Sequence, residues 1–319
     1  MVMLKIRRVP YIFLTPFLIL FALFFVFPFV YSLILSLFVN IQGEYKFVGL
    51  TNYLTAWEDK SFWYAVYRVA YYGVVQVTIM LVLALVLALF LDSRYVKNKA
   101  LFRVIYFLPY AVPGVIAAIM WGFLYSPDLN PILSIFGIFT GGKPLNLLDS
   151  GTVLYGIMNM ATWAWTGYNM TIYFASLTSI PIELYDAAKI DGCNEFQTAW
   201  HIKLPLLKQV IVMTTVLSII GSLQLFNEPY VLSSLTSIPA TFTPNMDIYN
   251  MAFAYGNFTY SATLSITLVL ITFIASLLFM YATSERTTAK KKKVRNKIIS
   301  HTTVSSSTLS YTGEGEKTI

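Results

Sequence analysis

Residues 185–205 read YDAAKIDGCNEFQTAWHIKLP, and this stretch decides how the 319-residue chain is understood. It carries charges, helix formers and a central glycine between two long apolar runs. Hydrophobic residues make up 57% of the chain and charged residues only 12%, about half the charge of an ordinary soluble domain. A soluble core does not absorb that much apolar length, so the expected class is a membrane protein. In such a chain, a polar segment of this kind marks a place where the backbone leaves the bilayer.

Working outward from it, six runs reach or approach the roughly 20 apolar residues that cross a hydrocarbon layer. They lie at 11–38, 63–91, 101–125, 153–176, 209–226 and 261–281. Helices satisfy their own backbone hydrogen bonds in lipid, so the expected fold is an all-α membrane protein of six transmembrane helices. The first run follows Lys5, Arg7 and Arg8. It is too long for a secretory signal and ends in SLILSLFVN without a small-residue cleavage pattern, so it is read as a retained span.

The cations set the orientation, because short loops rich in Lys and Arg stay in the cytoplasm. With the N-terminus inside, the cytoplasmic segments hold Lys5, Arg7, Arg8, Arg94, Lys97, Lys99, Arg103, Lys189, Lys203 and Lys208, then the basic run from Arg286 to Lys297. The outer segments hold Lys46, Lys60, Arg68 and Lys143, with Arg68 expected to snorkel toward water. Both termini are then cytoplasmic, and residues 185–205 fall on that side between spans four and five. The chain divides into a cytoplasmic N-terminus (1–10), a transmembrane domain (11–283) and a basic, then Ser/Thr-rich tail (284–319) expected to be disordered.

Cys193 is the single cysteine, so no intrachain disulfide forms, and two histidines are too few for a metal cluster. The net charge of +7 is concentrated in AKKKKVRNK, which reads as an anchor to anionic membrane lipid rather than a nucleic-acid site. No Gly-rich phosphate loop, G-x-S-x-G or H-E-x-x-H motif occurs, so the chain is not expected to hydrolyse nucleotide by itself.

Within the decisive stretch, Pro181 fits a first helical turn, and Glu183 and Asp186 favour the positive end of a helix from about 182 to 190. Asp191-Gly192 offers a turn, and Asn194 with Gln197 resembles a capping box for a second helix; Pro205 closes that helix and opens the next span. The first helix presents Ala187 and Ala188, small residues that admit another backbone; Phe196, Trp200 and Ile202 give the second an apolar face. By composition, an amphipathic hairpin on lipid and a protein-docking element fit equally.

Asp186-Ala187-Ala188, three residues, Gly192, nine residues and Ile202-Lys203-Leu204-Pro205 resemble the EAA loop of ABC-importer permease subunits, E-A-A-x3-G-x9-I-x-L-P, with Asp for Glu. FVGLTNY at 47–53 and IIGSLQLFNEPYVL at 219–232 are similar to the carbohydrate-uptake branch, including maltose and glycerol-3-phosphate importers. The resemblance implies a coupling helix pair that inserts into a cytoplasmic ATPase, with Glu183, Asp186, Ala187, Ala188, Asp191 and Gly192 at or near that contact. It implies a second, different permease subunit, two ATP-binding subunits and an extracellular sugar-binding protein. ATP and Mg belong to the ATPase partners, with no cofactor on this chain.

Polar residues in apolar spans are candidates for a pathway, although Ser and Thr often bond within their own helix. Span four offers Trp163, Trp165, Tyr168 and Asn169; span five offers Ser218, Gly221, Ser222, Gln224 and Asn227, with Glu228 beside them. Ser218, Gly221 and Ser222 share a stripe at i, i+3 and i+4. A sugar presents hydroxyls and apolar C–H faces, and aromatic rings with a few polar groups suit it. The resemblance implies that Tyr168, Ser218 and Ser222 contact substrate, while Trp165 replaces a small residue and LTSIP at 235–239 replaces a Gly-rich TGGGP. No Arg or Lys lies deep in these spans, which favours an uncharged sugar over glycerol-3-phosphate. Alternatives are a permease for amino acids or peptides, a secondary transporter and a membrane scaffold. Asn257-Phe258-Thr259 is an outward glycosylation sequon.

Overall fold

The computed structural model describes residues 9–93, 95–126 and 146–283. Lys5, Arg7, Arg8, Arg94, Lys143, the basic run and the Ser/Thr-rich tail lie outside the described residues. By its internal contacts the chain divides into Met1–Thr272 and Phe273–Ile319, and only 273–283 of the latter are described.

Helix α1 (Val9–Phe21), a π turn (Ala22–Val26) and α2 (Phe27–Leu35) form one apolar rod. Every side chain from Tyr11 to Tyr31 is exposed. Phe27 N–H bonds to the carbonyl five residues back, just ahead of Pro28. The wider turn absorbs the proline, which has no N–H and crowds the preceding turn. The first span ends before 38, because Phe38–Ile41 (β1) and Glu44–Phe47 (β2) pair as an antiparallel hairpin. Gln42 and Gly43 take φ 53° and 94°, as a two-residue hairpin turn requires. This hairpin amends the all-helical expectation.

The FVGLTNY segment serves this corner. Asn52 Nδ2 donates to the carbonyls of Ser36 and Phe38 at 2.9 and 2.8 Å, and the Tyr53 and Ser36 hydroxyls share a 2.7 Å hydrogen bond. After α3 (Thr51–Glu58), Asp59 accepts from the backbone of Ser61 and Phe62 and caps α4 (Lys60–Asp92).

Helix α4 is the central post. Val77, Met80, Leu81, Ala84, Ala88 and Leu91 recur at helical spacing and bury against Met170, Tyr173, Phe174, Leu177 and Leu207. Those partners come from α7 (Val153–Thr178) and α10 (Leu204–Leu223). Between helices surrounded by lipid, cohesion comes from close van der Waals packing rather than from removing apolar surface from water, and these interlocked side chains supply it.

The third run is not one straight span. Helix α5 (Lys99–Ala111) and α6 (Gly114–Tyr125) meet at 92°. Pro113 removes a donor and drives Val112 into extended geometry, φ −76° and ψ 124°. The fifth run is longer than expected, because Glu195–Leu232 forms one apolar helical stretch. Arg68, near the start of α4, is half-buried: its Nη1 donates to the Phe242 carbonyl at 2.8 Å and its guanidinium lies 4.7 Å from that ring. Beyond α10 come α11 (Asn227–Leu232), α12 (Pro244–Phe253) and, last among the described residues, α13 (Phe258–Thr283).

Among the described residues, four helices are long and apolar enough to cross a membrane, or five if the bent pair counts as one span. Helix α7 is as long as α13, 26 residues, yet its Asn, Thr, Gly and Tyr content lowers its hydropathy. It is packed inside the bundle rather than facing outward on all sides.

Candidate functional site

Helix α8 runs Ile182–Ile190, the range read from the sequence, with Glu183 in its first turn and Lys189 in its last. Gly192 takes φ 77°. Gly192 N–H donates to the Lys189 carbonyl at 3.0 Å and Cys193 N–H to the Ala188 carbonyl at 2.9 Å, the paired closure of a Schellman motif. A Cβ on Gly192 would meet open space, so glycine is required by backbone angle and not by crowding. Asn194 and Gln197 form the expected reciprocal capping box at 2.8 and 2.9 Å.

Pro205 does not close the second helix. Helix α9 (Glu195–Thr198) passes through a π turn (Ala199–Lys203) directly into α10. Leu204 N–H reaches back to the Ala199 carbonyl, one residue before Pro205, repeating the device seen before Pro28. Glu183, Asp186, Ala187, Asp191 and Gly192 are exposed. Ala188 is buried against its own chain, so only Ala187 of the pair is presented outward. Ile182, Ile190, Phe196 and Trp200 add exposed apolar surface to the same segment.

A second constellation lies where α5 crosses α7. A Cβ on Gly167 would overlap the carbonyl carbon and oxygen of Tyr106, so the bare glycine lets the two backbones touch. One turn further along α5, Tyr110 stacks on Tyr168, centroids 4.7 Å apart and 27° between planes. Trp165 stands edge-on to both rings at 5.1 and 5.7 Å. These offset and edge contacts are the favoured aromatic geometries. Tyr110 escaped the sequence reading because its partner is set by α5 docking on α7, although Gly167 within a large-residue run was a usable signal.

The other pathway candidates separate. Trp163 packs edge-on to Trp121 at 5.7 Å, away from the Tyr110 group. Asn169 is buried, and its amide donates to the Trp165 carbonyl at 3.0 Å and to the Met80 sulfur of α4 at 3.7 Å, so its donors are used inside the bundle. Ser222 is buried at the α4 interface, where Gly73 leaves room for its hydroxyl, which donates to the Ile219 carbonyl at 2.9 Å. Ser218 is half-buried, while Gly221, Gln224 and Asn227 are exposed. A recess of about 740 Å³ opens near the opposite end of α5, lined by Leu87, Phe90, Tyr95, Lys97, Phe102 and Tyr106 among others. Tyr106, one turn before Tyr110 on α5, belongs to both neighbourhoods: its side chain lines the recess and its carbonyl meets Gly167.

Residues 80–290 match the family model described as binding-protein-dependent transport system inner membrane component. This chain belongs to that family. The permease is 39% identical over 247 residues to the lactose transport system permease protein LacF of Rhizobium radiobacter, covering 76% of this chain and 82% of the relative. It is 32% identical over 273 residues to the arabinooligosaccharides transport system permease protein AraP of Bacillus subtilis, covering 84% and 86%. In fold it is similar to a bacterial ABC transporter involved in the import of the acidic polysaccharide alginate, with TM-score 0.77 at 18% identity over 88% of this chain and 96% of that one. It is a multi-pass protein of the cell membrane.

The permease also places a carboxylate beside the helix bend. Glu228 Oε1 lies 4.0 Å from where a Gly114 side chain would begin, at the first residue of α6. An anion near the N-terminal end of a helix is electrostatically favoured. Glu228 lies in the apolar stretch Glu195–Leu232, and the bend at Pro113 is what brings a helix start toward it.

Proposed function

We propose that this permease forms half of the translocation pathway of an ATP-driven sugar importer and couples to cytoplasmic ATPase subunits through residues 181–205. In this reading the chain has six spans, the bent pair counting as one and α7 as another, with both termini cytoplasmic. The segment α8–α9 is the handle gripped by the ATPase, with Glu183, Asp186, Ala187, Asp191 and Gly192 on its exposed side and Ala188 beneath. ATP and Mg are held by the ATPase partners, and hydrolysis occurs there. A second permease completes the passage, and an extracellular binding protein delivers the sugar.

The observation that carries this reading is the unbroken run from α9 through the π turn into α10. A hydrogen-bonded helix transmits displacement where a loop would absorb it. Nucleotide then shifts the importer only because the ATPase dimer binds the two permease states with different affinity. The names of the relatives, which transport lactose and arabinooligosaccharides, support a sugar as cargo. Tyr110, Trp165 and Tyr168 supply ring faces for sugar C–H surfaces, with Ser218, Gln224 and Asn227 as polar candidates on the next span.

The test is ATP hydrolysis by the reconstituted importer across a panel of sugars presented on its cognate binding protein. Stimulation by one sugar class supports the reading. Stimulation by glycerol-3-phosphate or an amino acid alone replaces the cargo, and ATP-independent uptake removes the coupling role.

A further inference from the structure

A buried charge pair ties the cytoplasmic segment to the far end of α4. Lys203 Nζ lies 2.6 Å from Asp92 Oδ2, with the two side chains only 6% and 16% exposed. The same ammonium sits 5.3 Å from the centre of the Tyr185 ring. Lys99 Nζ donates to the Asp92 carbonyl at 3.1 Å. The last residue of α4, the first of α5, the middle of α8 and the π turn ahead of α10 therefore converge at one point.

Each member of this cluster is unfavourable alone. Asp92 ends a 33-residue helix, where the carbonyl pole disfavours an anion. Lys203 is buried, and an ammonium out of water needs a counter-charge. The Tyr185 hydroxyl is buried without a hydrogen-bond partner among the described residues. Burial, then the charge of Asp92, pushes its pKa up to about 12, so its ring stays neutral over the cation. The contrast within the segment is the Asp186–Lys189 pair, 3.1 Å apart but 59% and 63% exposed, where solvent screens the attraction. The buried pair has the geometry of a fastening, whereas the exposed one does not.

We propose that Lys203 is a positioning residue that latches the coupling segment to Asp92. This inference rests on the coupling role given above. A displacement of α8 and the π turn is then delivered to α4 as well as, along the continuous helix, to α10. Helices α4, α7 and α10 share one buried core, and Gly73 of α4 admits Ser222 of α10. The latch therefore makes the three move as one body, instead of letting α10 tilt by itself.

The test uses the full importer, assembled with its partner permease and ATPase subunits in proteoliposomes, and reads sugar taken up per ATP hydrolysed. Lys203→Met is expected to lower that ratio about tenfold, within the usual span of coupling between distant sites, while ATP turnover persists. Lys203→Arg, which keeps the cation, is expected to retain it. Lys203→Met strands Asp92 as a buried anion, so the deciding variant is Asp92→Asn/Lys203→Met, which leaves no unpaired charge. That double variant is expected to assemble normally and remain uncoupled. A wild-type uptake ratio in the double variant overturns the latch. Gly192→Asp is run beside it: uncoupling there with a normal double variant removes the latch alone, and normal transport by both removes the coupling role itself.

Discussion

The Tyr106 carbonyl rests against Gly167 so closely that even one methyl group on the glycine has no room. Because the obstructing atoms are backbone, a rotamer change in α5 does not relieve the overlap. Gly167→Ala is expected to push α5 off α7 and to destabilise the permease by about 1–3 kcal/mol or more, the usual range for overpacking. Thermal unfolding in detergent and the yield of assembled importer measure this. An unchanged melting temperature would place α5 elsewhere.

The Tyr110–Tyr168 stack follows from that contact and carries the pathway prediction. Tyr110→Ala or Tyr168→Ala is expected to reduce sugar uptake at saturating loaded binding protein about tenfold, equivalent to 1.4 kcal/mol and within the range of one aromatic contact. Phe at either position keeps the ring and most of the rate. Equal loss with Phe would shift the role from ring face to hydroxyl.

Gly192→Asp and Asp186→Lys are expected to leave the protein in the membrane but to uncouple ATP hydrolysis from uptake. Asp tolerates the φ of 77° held by Gly192 better than most residues, so the backbone cost is at most about 1–2 kcal/mol, and the main change is a carboxylate added to the exposed turn. Asp186 gives up only an exposed pair with Lys189, whose stability contribution is small. Wild-type uptake by either well-inserted variant counts decisively against residues 181–205 as the coupling element.

Asp247 predicts a pH dependence. Its side chain is buried in α12 with Oδ2 unpartnered among the described residues. Burial first, and then the charge of Asp59, push its pKa up to about 6; Asp59 is itself hydrogen-bonded by the Tyr260 hydroxyl at 3.0 Å. The folded state therefore binds this proton more tightly than the unfolded chain. Stability falls as pH rises from the ordinary carboxylate value through about 6, by up to about 3 kcal/mol at neutral pH. Asp247→Asn is expected to raise the melting temperature at pH 7 and leave it little changed at pH 4. An equal effect at both values would assign the change to packing.

Local chemistry was legible along the chain. The helix Ile182–Ile190, the positive-φ glycine at 192 and the Asn194–Gln197 capping box each depend on neighbours within a few residues, and each appears as read. Readings that crossed longer distances fared differently. Pro205 reads as a helix end by its missing donor, yet a π turn carries the helix past it. The run at 101–125 reads as one span by hydropathy, yet Pro113 turns it through 92°. Arg68 reads as a cation at a span end, and only the folded chain supplies its partners, the Phe242 carbonyl and ring.

The sequence by itself determined that this is a membrane-embedded helical protein with a polar helix pair of the spacing D-A-A-x3-G-x9-I-x-L-P, because apolar run length and local turn chemistry are written in consecutive residues. The tertiary structure alone decided that Asp92 meets Lys203, that Tyr110 lies on Tyr168 and that Ser222 faces Gly73. Those pairings depend on the register and crossing of helices far apart in the chain. Helical periodicity fixes which face of a helix is apolar, but not which turn of another helix comes to rest against it.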